Sequence, residues 1–464
     1  MSQGDVKPHF ERSLWKRTTG KLAKLSQSSP PRTALLIFAA VIALFSALLM
    51  MPWATPGRGS AAVHDALFVA TSAVTVTGLT PVNTADDWTL AGQIVILIGI
   101  QVGGLGIVTM AALLAVSVTR HLGLRTRLIA REGMSTGGLG EVGQLLKTVI
   151  ICSVVVQTAL AVILIPRLIA LEGDAVRGAW YGLFYAISSF NNAGFVIHAD
   201  GLGGVDNDSV VVWTVMLGVF LGSLGFPVLY VLWRYRWHIK SWTLHTKLTM
   251  EVTTILLFVG AAAYAFLEWN NTATIGDMGW LEKLQSALFA SVNMRSGGFS
   301  VVESNLEHSE TMLVSDALMF AGGGSASTAG GIKVTTIAVI FLAFLAEARG
   351  HEETTAHGRT IPAQVGRVAV SVVAMGATAV LFSTLALMTI SGEDMGRPLY
   401  ESVSAFATVG LTAGLTEQLP PSGLYVLAAL MFTGRVGIIT FAAALTVRQK
   451  RVRYRYPEGR PIIG

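Results

Sequence analysis

Thr75-Val76-Thr77-Gly78-Leu79, Asn191-Asn192-Ala193-Gly194-Phe195, Arg295-Ser296-Gly297-Gly298-Phe299 and Ala407-Thr408-Val409-Gly410-Leu411 are four versions of one short glycine-bearing loop. Their shared glycines stand 116, 104 and 112 residues apart. That period has room for two membrane crossings and a re-entrant hairpin, so the chain reads as one unit used four times. Four such loops can surround one axis. The expected fold is an all-α integral membrane protein, with four repeats of outer helix (M1), pore helix and inner helix (M2) arranged pseudo-fourfold around one central pore.

Working outward from the loops, the chain supports this threading. Of its 464 residues 52% are hydrophobic and only 13% charged, and the mean hydropathy is +0.59. Several stretches reach the roughly 20 apolar residues that a membrane helix needs. The first, from about Thr33 to Pro52, follows a hydrophilic segment and lacks a short apolar core with a small-residue cleavage site. It reads as a permanent span rather than a removable signal.

The M1, pore-helix and M2 segments are expected at about 33–52, 64–75 and 89–119 in the first unit, and about 145–171, 178–190 and 209–233 in the second. In the third they fall at about 245–268, 281–293 and 310–346, and in the fourth at about 364–391, 397–407 and 422–447. The pore-helix segments are too short to cross a bilayer and must turn back inside it, which non-helical backbone tolerates only where protein or water surrounds it. The domain reading is a tail 1–32, repeat 1 at 33–119, a loop 120–144, repeat 2 at 145–235, repeat 3 at 236–346, a loop 347–363, repeat 4 at 364–447 and a tail 448–464.

In this threading 25 of the 33 Lys and Arg residues fall in the tails and inter-unit loops on one side. The positive-inside rule makes that side cytoplasmic, with both termini there and the chain a multi-pass protein of the cell membrane. On the opposite side Asp65, Asp86, Asp87, Asp200, Asp206, Asp208, Glu303, Glu307 and Glu417 flank the loops. Acids gathered around a cleft raise the local cation concentration. The net charge of +5 is thus accounted for by topology, and nucleic acid is not an expected partner. The single cysteine, Cys152, has no intramolecular disulfide partner, and no His/Cys cluster suggests a structural or catalytic metal.

The glycines carry the chemistry. A selectivity loop turns successive carbonyl oxygens inward to replace a cation's hydration shell, which needs left-handed or closely approached backbone that glycine supplies most easily. The expected ion-binding filter is Thr75, Val76, Thr77 and Gly78; Asn191, Asn192, Ala193 and Gly194; Ser296, Gly297 and Gly298; and Ala407, Thr408, Val409 and Gly410.

These loops, together with Gln101-Val102-Gly103-Gly104-Leu105-Gly106, Leu221-Gly222-Ser223-Leu224-Gly225-Phe226-Pro227 and Met431-Phe432-Thr433-Gly434-Arg435-Val436-Gly437, resemble the Trk/Ktr/HKT superfamily of potassium transporters. The likeness runs from about Thr33 to Arg448 and is closest to the Ktr-type membrane subunit, because only a hydrophilic tail precedes the first unit. Glycine at all four filter positions implies potassium as the transported ion, with sodium a candidate regulator. Ser296-Gly297 departs from the Thr-Ala common in the family. The resemblance further implies a homodimer and a separate cytosolic KtrA-type RCK ring that binds ATP or ADP; this chain itself is expected to hold no cofactor.

The third M2 carries Gly322-Gly323-Gly324-Ser325-Ala326-Ser327-Thr328-Ala329-Gly330-Gly331-Ile332-Lys333, where five glycines and three hydroxyls prevent a stiff helix. In the family this insert is an intramembrane gate below the filter. Lys333 and the lone Arg435 within the fourth M2 are unpaired charges in apolar surroundings. The expectation is that Arg435 hydrogen-bonds the gate loop's carbonyls and Lys333 adds a positive barrier, while Arg295 braces a helix instead of facing the ion. Gly138-Leu139-Gly140-Glu141-Val142-Gly143 matches a dinucleotide-binding pattern, but no strand-like segment precedes it, so it reads as a connector.

Three classes of function remain open: a gated potassium-conducting transporter, a proton- or sodium-coupled transporter of another solute, and an intramembrane enzyme. The coupled transporter calls for an ionisable relay at the midplane, where few ionisable residues other than Arg435 and Lys333 occur. The enzyme calls for a nucleophile or metal motif, and neither GxSxG nor a helical HExxH is present.

Overall fold

The computed structural model describes residues 30–441 except 58, 122–138, 200, 205–207, 237 and 439. The tails, with many of the basic residues counted above, and Asp200 and Asp206 lie outside these residues. Among the described residues the fold is helical apart from one two-stranded hairpin, β1 (Thr355–Ala356) and β2 (Arg359–Thr360), in the loop before the fourth unit.

Each unit opens on a long continuous apolar helix: α1 (Pro30–Leu49), α4 (Leu139–Glu172), α8 (Leu244–Glu268) and α12 (Ala363–Ser391). Among the described residues these four hold the segments long and apolar enough to cross a membrane unbroken. Their flanks explain why they stay helical and where they stop. Thr243 caps α8 by accepting from the Thr246 amide at 3.2 Å, and Gly392 ends α12 in the left-handed region. Large apolar side chains point outward from them, among them Leu36, Phe258, Phe266 and Phe382, which are more than half exposed. In water that surface would aggregate; against hydrocarbon it is the expected exterior.

A short helix follows in each unit: α2 (Val63–Thr75), α5 (Ala175–Asn191), α9 (Trp280–Met294) and α13 (Gly396–Ala407). At 12 to 17 residues none crosses a 30 Å hydrocarbon layer. The third helices are α3 (Leu90–His121), α6 (Ser209–Leu224), α10 (Ser309–Phe320) and α14 (Pro421–Phe432). Each packs on the short helix of the following unit: α3 on α5, α6 on α9, α10 on α13, and α14 back on α2. The polarity is inverted relative to a water-soluble protein, since Ser72, Thr75, Asn191, Asn192, Asn293, Ser404 and Thr408 are fully buried where these short helices end.

Two inner helices differ from the continuous segments read from the sequence. The second is cut at Gly225 into α6 and α7 (Phe226–Tyr235), bent by 99°. Gly225 sits at φ 96, ψ 141, and Pro227 in the first turn of α7 lacks the N–H that a continuing helix would use. The fourth passes after Phe432 into a π turn at Thr433–Gly437 that contains Arg435. In the third unit the helix stops at Phe320 and restarts as α11 (Val334–Ala348), leaving the Gly/Ser/Thr insert as loop. The GxGxxG look-alike runs into α4 from Leu139 onward.

Candidate functional site

The site grows from the ends of the short helices. α2, α5 and α13 each terminate in a left-handed residue two places before the shared glycine: Val76 (φ 57), Asn192 (φ 59) and Thr408 (φ 49). Side-chain-bearing residues rarely adopt this conformation, and for β-branched Val76 and Thr408 it is strained by about 1–3 kcal/mol. The turn is closed by the next amide, with Thr77, Ala193 and Val409 donating to the carbonyls of Ser72 (2.8 Å), Ser188 (2.9 Å) and Ser404 (2.9 Å). The chain then passes through Gly78, Gly194 and Gly410, at φ +99, +69 and +100.

The third loop has a different approach. α9 ends at Met294, Arg295 caps it near φ −87, and the Asn293 carbonyl accepts from the amides of Ser296 (3.1 Å) and Gly297 (2.7 Å). Ser296 is forced to φ 123, and Gly298 then rejoins the common pattern at φ +73. The Ser296-Gly297 departure seen in the sequence thus marks a real change of backbone.

The four loops touch in cyclic order. A methyl added at Gly78 would lie 2.3 Å from the Ala193 oxygen, and one at Gly194 would lie 2.8 Å from Cα of Gly298. Added at Gly298 it would meet the Val409 oxygen at 2.3 Å, and at Gly410 the Thr77 oxygen at 2.1 Å, which closes the circuit. Backbone meets backbone at all four contacts, so no side chain fits between the loops. Thr75 Oγ1 bonds to the Thr71 carbonyl (2.7 Å) and lies 2.7 Å from Thr77 Oγ1, while Asn191 Nδ2 donates to Gln101 Oε1 at 2.8 Å. Asn191 Oδ1, Asn192 Nδ2 and Thr408 Oγ1 are buried polar atoms beside the loops with no hydrogen-bond partner among the described residues.

The loop 321–333 lies directly against these turns. Gly330 approaches Thr408 so closely that a Cβ would come within 1.8 Å of Thr408 Oγ1, and the Gly330 amide donates to Ser296 Oγ at 3.2 Å. The Thr328 hydroxyl has three acceptors in reach: the carbonyls of Gly222 (2.9 Å) and Phe190 (3.1 Å), and Asn192 Oδ1 (3.1 Å). Within the loop Ser327 Oγ bonds to the Gly324 carbonyl at 2.7 Å, Ser325 reaches Thr335 at 3.0 Å, and Ala326 is left-handed at φ 56. Gly322, Gly323 and Gly324 pack against Gly330, Ala329 and Leu224, while Gly331 packs on Ala407.

Both lone cations bind this loop. Arg435, 2% exposed, donates through Nη1 to the Thr328 carbonyl, and Lys333 Nζ donates to the carbonyls of Ala329 (2.7 Å) and Gly330 (3.2 Å). Arg295 turns away from the loops and donates to the Thr253 carbonyl on α8. The outer acids divide: Asp86, Asp87, Glu303 and Glu417 are exposed, whereas Asp208 caps α6 and pairs with Arg167 at 2.6 Å. That pairing holds the Asp208 carboxyl below the usual range. Glu307 is pushed up to about 8 by burial and by its neighbour Glu268.

Sequence reasoning passed over Glu401, which is wholly buried in α13 and gathers the chain leaving the fourth loop. Its carboxylate accepts from the amides of Ala413 (3.0 Å) and Leu415 (3.3 Å) and from the hydroxyls of Thr412 and Thr416. An isolated acid inside a membrane-depth helix was the available signal.

A family model described as TrkH, cation transport protein, matches residues 25–452. The chain belongs to this family. Among curated relatives, the Ktr system potassium uptake protein B of Bacillus subtilis (strain 168) is 35% identical over 96% of this chain and 99% of its own length. The protein of the same name from Vibrio alginolyticus is 33% identical, covering 98% and 99%. The potassium/sodium uptake protein NtpJ of Enterococcus hirae is also 33% identical, covering 91% and 95%. The crystal structure of the potassium transporter TrkH from Vibrio parahaemolyticus superimposes with a TM-score of 0.70 at 17% identity, over 89% of this chain and 83% of that one. That likeness shows a shared fold, and membership in the TrkH family makes the chain a transport protein, not an enzyme.

Proposed function

We propose that the chain takes up potassium across the cell membrane through a filter formed by its four glycine loops, standing pseudo-fourfold about one central pore. The observation that carries this reading is the cyclic contact of Gly78, Gly194, Gly298 and Gly410. A closed circuit of four loops with left-handed glycines turns backbone oxygens toward a common centre, where they replace the water a potassium ion sheds. The unpartnered Asn191, Asn192 and Thr408 atoms beside it fit a polar, hydrated path. The names of the relatives, potassium uptake and potassium/sodium uptake, favour potassium as cargo and leave sodium as the natural competitor or regulator.

The loop 322–332 is the gate in this reading. It seals the path beneath the filter, with Arg435 and Lys333 clamping its carbonyls and adding positive charge where a cation would pass. Both cations are committed to carbonyls, which argues against a free ionisable relay and so against a coupled transporter. The basic tails and inner loops face the cytoplasm, where they meet anionic lipid or a nucleotide-binding RCK ring; the relatives' naming as a Ktr system fits a membrane subunit with a regulatory partner. Two copies of the chain form the working unit.

The test is growth of a potassium-uptake-deficient bacterium at low potassium. The wild-type chain restores growth, whereas Gly78→Ser restores it poorly and admits sodium. Failure of the wild-type chain, produced at the membrane with its RCK partner, to move potassium would overturn the reading.

A further inference from the structure

The filter glycines are held from behind by side chains that no glycine motif includes. In three of the four units the residue six places before the glycine is a serine, namely Ser72, Ser188 and Ser404, and each is fully buried. Ser72 Oγ accepts from the Gly78 amide at 2.9 Å, and Ser404 Oγ accepts from the Gly410 amide at 3.1 Å. Ser188 Oγ donates to the Phe195 carbonyl, just beyond Gly194, at 3.1 Å. The third unit breaks the pattern and shows what it is for. There the equivalent position is Val292, and the amide of Phe299 is held instead by Asn293 Oδ1 at 3.3 Å, one residue further along. A buried polar side chain thus ties the glycine or its successor to the short helix in every unit, by hydroxyl three times and by amide once.

We propose that Ser72, Ser188, Ser404 and Asn293 are positioning residues for ion selectivity: they fix the strained filter backbone so that its carbonyls cannot close around a smaller cation. The inference rests on the four-loop filter proposed above. Discrimination between potassium and sodium depends on how far the coordinating oxygens can move. The left-handed turns at Val76, Asn192 and Thr408 persist only if their surroundings over-determine them. One hydroxyl bond to the filter amide is such a restraint, and losing it shifts an equilibrium by several-fold to about tenfold.

The experiment measures the potassium-to-sodium permeability ratio of purified protein with its regulatory partner in liposomes. The set is wild type, Ser72→Ala, Ser404→Ala, Ser404→Thr and Gly78→Ser. The alanine variants are expected to lower the ratio several-fold by raising sodium flux while potassium flux is kept, and Ser404→Thr, which restores the hydroxyl, to recover it. A purely structural role would lower both fluxes together and leave the ratio unchanged, which would overturn the proposal. If an alanine variant does not accumulate, Ser404→Cys, of similar volume and weak hydrogen-bonding capacity, is read by the same criterion. The glycine variant separates the two failures. A changed ratio in Gly78→Ser with unchanged alanine variants sinks only the positioning role, and an unchanged ratio in all of them sinks the filter itself.

Discussion

Replacing Arg435 by methionine tests the gate most directly. The guanidinium is buried, and its described hydrogen bond runs from Nη1 to the Thr328 carbonyl, while Nε and Nη2 have no partner among the described residues. The substitution therefore removes a charge-assisted bond to the gate loop without stranding a carboxylate, because no ion pair with Arg435 occurs among the described residues. Such a bond contributes about 1.5–3 kcal/mol. At about 2 kcal/mol the balance between sealed and open loop moves roughly thirtyfold toward open, since each 1.4 kcal/mol is tenfold. Thr328 retains its amide bond to Gly222 at 3.3 Å and its hydroxyl contacts. The hydroxyl has one proton for three acceptors, so these contacts make up about one further bond and do not replace the lost one. The assay is rubidium flux into liposomes in the absence of the activating nucleotide, where the wild type is expected to be nearly closed. Basal flux is expected to rise at least tenfold, with the potassium-to-sodium ratio kept. Unchanged basal flux at equal protein content would refute the clamp.

Three further outcomes follow from the geometry. Gly225→Ala places a Cβ 2.6 Å from the Ser325 carbonyl at a φ of 96, so the α6–α7 corner must shift against the gate loop; altered gating with intact selectivity is expected in the same flux assay. Glu307 has its folded pKa raised from 4.5 to about 8, so between these values the folded state holds the proton more tightly than the unfolded one. The contribution of Glu307 to stability is then fully present below about pH 4.5 and is lost as pH rises through about 8; Glu307→Gln should remove that component of the slope in detergent melts, and an unchanged slope would count against it. Asp208→Asn keeps a capping side chain but loses the charge facing Arg167, which is half exposed. A loss of at most about 1 kcal/mol is expected in a denaturation midpoint, without a change in selectivity.

The legible parts of this chain were those that depend on length, apolar periodicity and glycine. α1, α8 and α12 start within a few residues of the expected bounds, because a continuous apolar run has one low-energy form in lipid. The break at 321–333 was legible for the opposite reason, since five glycines in eleven residues cannot hold a helix. The corner at Gly225 was not, although Gly-Phe-Pro is on the page. One glycine and one proline in a membrane helix are commonly tolerated, and the decisive contact is with Ser325 and Ala326, a hundred residues away. Glu401 and the three buried serines were missed because their partners lie across a turn whose shape the sequence does not print.

The departures of the third loop from the pattern of the other three gather where the loop 321–333 packs. Where α9 gives up the common left-handed turn, Ser296 takes its unusual φ and offers its hydroxyl to the Gly330 amide, while also approaching the Thr408 carbonyl at 3.4 Å. A symmetric third loop would place a left-handed turn like those of Val76, Asn192 and Thr408 at this point, and the gate loop would lose its acceptor. On the opposite flank Thr328 reaches Asn192, the turn residue of the second loop. The gate loop is thus hydrogen-bonded to turn residues of the second and third loops and packed on Thr408 of the fourth. Ser296 and Asn192 therefore restrain a filter turn and the gate loop at once, whereas the described hydrogen bond of Arg435 reaches the gate loop alone. In the proposed reading the contacts that seal the path also hold filter turns, so Ser296→Ala is expected to change basal flux and ion selectivity together, unlike Arg435→Met. Parallel measurement of both quantities in the two variants decides the point, and a Ser296→Ala protein that gates differently with wild-type selectivity would show the filter and gate to be independent.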